Sequence, residues 1–589
     1  MYYEKFQKFN TDKVILSVKI SIIILIGIYV FGEALPYFLA SDAYTYGNST
    51  KFLVNGNLAI TNELLMKTGN EQFVPTAWIK TIDNYAVPQS YGLSYFAALG
   101  YMIFGEYGIF YFNPIITILF LIIAERVSTK LFNKHVGLLT LLLLSTNHLI
   151  LKTGINFQTE NTAGLFFILG VFFLIKFFKD NKDRFILFSS IFFVFSVFVR
   201  TAGILVFPLE LVLLPIVFIF SHKIINSDKN KDFKKNIFKI SNSKKIFYFI
   251  IPWILFLIFW FSFNDSFFGD PLTNYRMQNQ DFNERLHRDS NFSSFFNIEL
   301  KHFEIFKDFS RYLLPYQINA VYQNLDNKFE NILGNSWISL FTFLIFAFSI
   351  LIALKKKKNR IDIFILILLT IPILWFYASV TTEERAELGV PGRYVIPSTA
   401  ISYIILSYVI FNIFSLDIKF IKKIRPIIFL ILLTFFALAL YNSPPIQDIL
   451  NNEFEFRNLT IYANGYPIDK NGLNEYSVIA ARNTNWVIDH GYIPFSLPMK
   501  ELLTNEDIKV LKDTMNDGYD VFTYKAATYP LESDVMRELV NNHKFVLKNF
   551  SDSFCKMEIN NKFEKSDEIC FSGKHKPEFL PRTIENYGY

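Results

Sequence analysis

Five apolar runs limit what this chain can fold into: Val14–Phe31, Ile246–Phe263, Trp337–Leu354, Ile361–Val380 and Ile396–Phe414. Each is close to the roughly 20 residues that a helix needs to cross a ~30 Å hydrocarbon core. Of the 589 residues, 52% are hydrophobic and 68 are Phe, more apolar material than a soluble globular domain carries. The chain therefore reads as a polytopic, mainly α-helical membrane protein. The first run is not a cleavable signal peptide, because it is long and lacks a small-residue cleavage site before Glu33.

The formal charge of +6 does not point to nucleic acid, because the excess sits in short loops between the apolar runs. His222 to Lys245 holds eight Lys against two Asp, Lys355 to Arg360 is almost wholly basic, and Lys419, Lys422, Lys423 and Arg425 form a third cluster. Such clusters stay on the cytoplasmic side of a membrane. Recognition of lipid head groups is the other use such a charge run has. Putting all the clusters inside gives one self-consistent path of about eleven spans. The N-terminus, with Lys5, Lys8 and Lys13, is inside. The shorter runs Tyr107–Ile123, Val136–Leu151, Thr162–Ile175, Phe185–Val199, Ile204–Phe220 and Ile427–Leu440 complete the count.

This path leaves a first outer loop at 33–90, a later outer loop at 264–335, and a tail at 441–589 outside the membrane. Tyr91–Phe104, interrupted by Gly92 and Gly100, reads as an interfacial or re-entrant helix, since a crossing there would turn every later Lys cluster outward. The glycosylation sequons at Asn48, Asn264, Asn291, Asn458 and Asn549 all fall in the outer segments.

The tail changes character. Phe becomes rarer, and strand-like runs at Tyr476–Ala481 and Asp520–Tyr524 flank helical stretches at Asn505–Met515 and Leu531–Asn541. Phe545–Phe550 and Phe554–Ile559 read as a closing pair of strands. The expected organisation is thus a transmembrane domain over 1–440 and an extracytoplasmic α/β domain over 441–589. Both cysteines, Cys555 and Cys570, lie in that tail. An oxidising compartment would permit a disulfide between them, and two free thiols are the alternative.

Asp42 opens the first outer loop in Ser41-Asp42-Ala43-Tyr44-Thr45-Tyr46, just past the first span. Ser41 or Asp42 also fits as the N-cap of a surface helix running through Tyr44 to Leu53. Glu160 ends the turn Thr153-Gly154-Ile155-Asn156-Phe157-Gln158-Thr159-Glu160, where an exposed loop acid is the other reading. Arg200 and Arg393 stand at span ends, where an arginine can also simply snorkel to the interface. His135, His148 and His222 show no metal-ligand spacing.

The order of these motifs resembles one family, the GT-C membrane glycosyltransferases, which include protein O-mannosyltransferases and aminoarabinose transferases. Asp42 with Tyr46 resembles its first-loop acidic motif, and Asp83 to Tyr91 with Phe104-Gly105 resembles its His-Pro-Pro-Leu-Tyr segment and trailing Phe-Gly. Val199-Arg200-Thr201-Ala202-Gly203 is similar to its fifth-span Arg motif, and Phe268-Gly269-Asp270-Pro271 to its Phe-Gly-X-Pro. Gly392-Arg393-Tyr394-Val395-Ile396-Pro397 is similar to its Arg-Tyr-X-X-Pro. The resemblance spans about residues 10 to 440. The family's Asp-Glu pair is Asp42-Ala43 here, and its motif histidine is missing. The tail has no Trp-Trp-Asp, which argues against an oligosaccharyltransferase catalytic subunit.

The resemblance implies a GT-C fold and transfer of one sugar from a polyprenyl-phosphate donor to a protein, lipid or glycan acceptor on the outer face. Asp42 would be the base and Glu160 a second carboxylate. Arg200, Arg393 and Tyr394 would hold the donor phosphate, whose charge grows as it leaves. Tyr46, Tyr85, Pro88 and Tyr91 would line the substrate cavity. No cofactor is implied with certainty, and a divalent cation between Asp42 and Glu160 stays open. Membrane lipids are the other expected partners, and nucleic acid is not. A lipid-linked glycan flippase is the rival, but its buried mid-span charges are scarce in these runs. A glycan polymerase or ligase would share the architecture. For topology, cysteines introduced beside Lys231 and Lys512 are expected to react with an impermeant maleimide from opposite sides of the membrane. Labelling of both from one side would overturn the path.

Overall fold

A computed structural model describes residues 2–34, 41–56, 59–60, 63–74, 79–81, 85–86, 91–180, 182–200, 240–269, 271, 348, 351, 362–370, 396–415, 462–463, 466–467, 472–474, 476–481, 487, 492–497, 503–524, 530–551, 554–562, 564–567 and 570. The chain divides into two compact units. The first takes Met1–Ala34, Tyr111–Trp260 and Phe282–Phe456, and the second Leu35–Phe110, Phe261–Asp281 and Arg457–Tyr589.

The chain is largely helical. Among the described residues, Asp12–Gly32, Glu106–Leu131, Glu160–Asp180 and Phe247–Phe268 are long and apolar enough to cross a membrane. The 21 residues of Glu160–Asp180 extend about 31 Å at the helical rise. Helices Lys134–Ser145 and His148–Ile155 form a bent pair that together is long and apolar enough for a broken span or a re-entrant loop. The break falls where Asn147 caps the second helix by accepting from the Ile150 amide at 3.0 Å. Helix Asp183–Val199 follows Glu160–Asp180, and helix Ile396–Ser415 falls on an expected late span. The expected spans Ile204–Phe220 and Ile427–Leu440, and all of Trp337–Leu354 but Phe348 and Leu351, lie outside the described residues.

Lipid provides little hydrophobic drive between helices, so close packing and polar contacts have to hold them together. Gly170 sits against Phe193, where an added Cβ would meet the ring at 2.7 Å. Beside it Ser189 donates to the Gly170 carbonyl at 2.8 Å, and Ser196 donates to the Ala163 carbonyl at 2.9 Å. These contacts join helices Glu160–Asp180 and Asp183–Val199 into an antiparallel hairpin. Phe173 stacks on Phe192 along the same seam, with centroids 5.5 Å apart.

Lys19 and Glu125 depart from the expectation of nearly charge-free spans. They form a buried ion pair between helices Tyr2–Gly32 and Phe112–Leu131. Thr129 donates to the Glu125 carboxylate at 2.6 Å. Each charge meets its opposite, which is what keeps such groups affordable away from water.

In the second unit, helix Ser41–Val54 packs on helix Gly92–Phe104, with Ser94 donating to the Tyr46 carbonyl at 3.1 Å. The 13 residues of Gly92–Phe104 extend only about 20 Å, short of a full crossing. Leu99, Met102, Ile103 and Phe104 are exposed on it.

The tail folds around a five-stranded mixed sheet, in the spatial order Ile493–Ser496, Val478–Ala481, Val521–Tyr524, Phe554–Ile559, Phe545–Asn549. The first three strands are mutually parallel, and Phe554–Ile559 pairs antiparallel with both of its neighbours. Helices Asn505–Asn516 and Pro530–His543 join them. Helix Asn505–Asn516 opens with a capping box in which Thr504 and Asp507 satisfy each other's backbone amides.

This core is not made by the tail alone. Leu64, Leu65, Phe73 and Val74 of the first outer loop are buried with Val478, Phe495, Leu511 and Leu547. Phe73 meets Phe495 edge to face at 5.5 Å, Ser496 donates to the Val74 carbonyl at 2.6 Å, and Lys67 pairs with Asp517 at 2.6 Å. The same loop carries a small sheet in which Tyr85–Ala86 lies between Ala59–Ile60 and Ile79–Lys80.

Two of the sequons are unsuited to carry a glycan in this fold, since Asn48 and Asn264 are 1% and 2% exposed.

A strap at 564–567 covers the edge strand Phe545–Asn549. Ser566 accepts from the Leu547 amide at 3.0 Å, and Asp567 accepts from the Asn549 amide at 2.6 Å. Lys548 bridges Glu558 and Glu564 at 2.8 Å each, and the two carboxylates push its ammonium pKa up. The disulfide Cys555–Cys570 pins the end of the strap to the neighbouring strand. Closing a loop of this length stabilises by about 3 kcal/mol in the chain-entropy account. Cys570→Ser in the full chain is therefore expected to lower the unfolding midpoint of this unit. The two native cysteines are expected to resist alkylation until a reductant is added, and ready alkylation without it would remove the bridge.

Candidate active site

The first unit brings two of the expected site residues together. Glu160 is the first residue of helix Glu160–Asp180, and Arg200 follows the last turn of helix Asp183–Val199. Because the two helices run antiparallel, the start of one and the end of the other lie at the same end of the hairpin. The Arg200 guanidinium donates to the Glu160 carboxylate at 2.7 Å and to the Thr159 hydroxyl at 3.3 Å. The Glu160 side chain is 4% exposed and that of Arg200 17%. A carboxylate at a helix N-terminus and a cation at a helix C-terminus each complement the helix dipole. The pair is therefore favoured by the two helix ends as well as by its own attraction.

The turn that delivers Glu160 is held by buried amides and hydroxyls. Asn113, near the start of helix Phe112–Leu131, donates through Nδ2 toward the carbonyls of Thr153 at 3.0 Å, Gln158 at 2.7 Å and Asn156. Asn161 donates to Thr117 Oγ1 at 2.7 Å and to the Ile150 carbonyl at 2.9 Å, and accepts from Thr153 Oγ1 at 2.8 Å. All these side chains are buried. Asn113, Thr117 and Asn161 escaped the sequence reading. The available signal was their position, amides and a hydroxyl inside apolar helices beside a polar turn.

The other candidates fall in the second unit or beyond the described residues. Asp42 lies in the first turn of helix Ser41–Val54, and its side chain is outside the described residues. The expected helix from Tyr44 to Leu53 is present, one turn longer at its start, but it is not a surface helix, because Thr45, Asn48, Ser49 and Thr50 on it are buried. Tyr46 is half-buried on that helix. Tyr85 sits in the small loop sheet and packs against the apolar core of its unit. Tyr91 is buried and meets Phe263 edge to face at 5.6 Å. Pro88, Arg393 and Tyr394 lie outside the described residues.

The arrangement can bind an anion beside a carboxylate that is already charge-compensated. It is poorly suited to hold a metal ion at Glu160, because a guanidinium occupies the carboxylate at 2.7 Å. Among the described residues no group of three or more His, Cys, Asp or Glu could ligate a metal.

Residues 89–256 match the family model of dolichyl-phosphate-mannose-protein mannosyltransferases. The match takes in Asn113, Glu160 and Arg200 and leaves Asp42 outside. Among solved structures, the Archaeoglobus fulgidus oligosaccharyltransferase in its apo form is similar, with a TM-score of 0.46 and 11% identity over 94% of this chain and 75% of that one. The same organism's AglB, in complex with an inhibitory peptide and a dolichol-phosphate, matches with a TM-score of 0.45 and 10% identity over 93% and 74% of the two chains. ArnT from Cupriavidus metallidurans bound to undecaprenyl phosphate gives 0.49 and 9% identity, covering 92% of this chain and 97% of that one. No curated protein matches the sequence as a relative.

Removing one member of a buried ion pair strands the other, at about 3–5 kcal/mol. Glu160→Gln and Arg200→Gln are each expected to lower thermal stability in detergent. The double variant should lose less than the sum, because it strands no charge. Strict additivity of the two losses would show that the pair does not form.

Proposed function

We infer that this chain, a membrane glycosyltransferase of the GT-C superfamily, moves a single sugar from a polyprenyl-phosphate donor to an acceptor hydroxyl or amine on the outer face. The observation that carries the reading is the buried Glu160–Arg200 pair at one end of a helical hairpin, inside the segment that matches the mannosyltransferase family. The basic loops assign that end to the outer side, where a lipid-linked donor presents its head group.

In the proposed step the acceptor heteroatom attacks the anomeric carbon from the face opposite the phosphate. The bond between that carbon and the phosphate oxygen breaks, and the configuration inverts. The leaving phosphate gains charge, and Arg200, with Arg393 and Tyr394, is assigned to hold it. Arginine suits this work because its planar fork offers several donors to phosphate oxygens. Glu160 keeps the Arg200 fork in place and tempers its charge. Asp42 is assigned as the base that takes the acceptor proton, which is work for a carboxylate in a wet first loop. Tyr46, Tyr85, Pro88 and Tyr91 are assigned to the substrate cavity. A protein acceptor suits the family match, and a lipid or glycan acceptor suits the missing Asp-Glu and histidine of the motifs. The flippase reading finds no support in Lys19 and Glu125, whose charges neutralise each other across two helices.

Asp42→Asn separates catalysis from helix stabilisation. Loss of a general base costs about 10²–10⁴-fold in rate, whereas Asn serves as well as Asp at a helix start. Transfer from a panel of polyprenyl-phosphate sugars is expected to fall by that factor while thermal stability stays near that of the parent chain. Normal turnover in the folded variant would falsify the base assignment.

A further inference from the structure

Asn113 stands one helix away from Glu160 and does not touch the ion pair. Its Nδ2 nevertheless points at three carbonyls, those of Thr153, Asn156 and Gln158, which carry the chain from helix His148–Ile155 up to Thr159 and Glu160. The Thr153 carbonyl belongs to the last turn of helix His148–Ile155, and those of Asn156 and Gln158 lie between that helix and the next, so no helical amide is due to them. Buried as they are, they need a donor from elsewhere. The two N–H groups of this one amide, at the start of helix Phe112–Leu131, are shared among the three carbonyls and so fix the path of the turn. A second layer backs it. Thr117, one turn further along the same helix, accepts from Asn161, and Asn161 in turn accepts from Thr153. Gly154 lets the turn close on this helix, since an added Cβ would lie 2.8 Å from Thr117 Oγ1.

We propose that Asn113 is a positioning residue for the Glu160–Arg200 pair, setting where Arg200 meets an anionic donor head group without contacting it. The proposal rests on the reading of Arg200 as a phosphate ligand. Asn113 holds the turn, the turn sets Thr159 and Glu160, and these two hold the guanidinium at 3.3 and 2.7 Å. A side chain that only filled space would affect stability alone. One that works through Arg200 must lose its effect once Arg200 is gone.

The test is a cycle in purified full-length protein, with undecaprenyl phosphate and dolichyl phosphate as binding probes and the melting midpoint recorded beside each affinity. Arg200→Ala is expected to weaken binding, and Asn113→Ala to weaken it by about tenfold, the low end of what loss of an orienting outer-shell partner costs at metal sites. In the Arg200→Ala background, Asn113→Ala should cost nothing further in affinity. Thr117→Val keeps the shape of its side chain while breaking the hydrogen bond to Asn161. It is expected to move affinity in the same direction by a smaller factor, and it supplies the cycle if Asn113→Ala does not fold. Unchanged affinity in Arg200→Ala, or no binding of either lipid to the parent chain, removes the phosphate site itself. Weakened binding in Arg200→Ala, with the Asn113 or Thr117 loss persisting undiminished in that background, removes the positioning role alone.

Discussion

The contact between Arg200 and Glu160 is the point on which the candidate site depends. It joins the end of one membrane helix to the beginning of the one before it, where backbone amides and carbonyls have no helical partners. A carboxylate and a guanidinium complement the helix dipoles at those ends and pair with each other. Alone, either charge would be costly at such low exposure. Paired, they bring a cation to the end of the hairpin and hold it in a fixed orientation. That is the arrangement a departing phosphate needs, because donors already oriented do not have to reorganise as charge develops.

Elsewhere in the first unit, polar groups are used for attachment. Lys19 and Glu125 tie two helices together, with Thr129 at 2.6 Å from the carboxylate. Asn147 reaches Tyr403 at 2.8 Å and links the bent pair to the late helix Ile396–Ser415. Ser189 and Ser196 bond across the hairpin to the carbonyls of the small residues Gly170 and Ala163. In a bilayer the lipid tails are as apolar as leucine, so specific pairing comes from contacts of this kind and from glycines that let backbones approach. The abundant Phe fills the remaining space, as in the stack of Phe173 on Phe192.

The second unit is held by a different force, burial of apolar surface from water. Its core draws on two segments that are far apart in sequence. Leu64, Leu65, Phe73 and Val74 enter from the first loop, while the sheet and two helices come from the tail. Asp42 and the tyrosines at 46, 85 and 91 belong to this same unit. The first loop is therefore anchored by its middle into a folded domain, which restricts the conformations open to the helix that carries Asp42.

The sequence by itself determined the class of the protein, the positions of most helices and the elements of the tail, because hydropathy and periodicity are local properties. The expected strands at Tyr476–Ala481 and Asp520–Tyr524 appear as Val478–Ala481 and Val521–Tyr524, and both tail helices fall where their patterns put them. A motif marked Arg200, and the polar turn from Thr153 marked Glu160. The tertiary structure alone decided that these two meet, since they are 40 residues apart and the hairpin geometry brings them to one end. It also decided that Ser496 bonds to Val74, 422 residues away, and that Cys555 and Cys570 are joined. The small strand Ile493–Ser496 could not be read locally either, as it holds a Pro and is completed by pairing with Val478–Ala481. Asn113 was illegible for the same physical reason. A hydrogen bond between distant segments leaves no period in the sequence, and an amide in an apolar helix acquires its meaning only from the carbonyls that the fold brings within its reach.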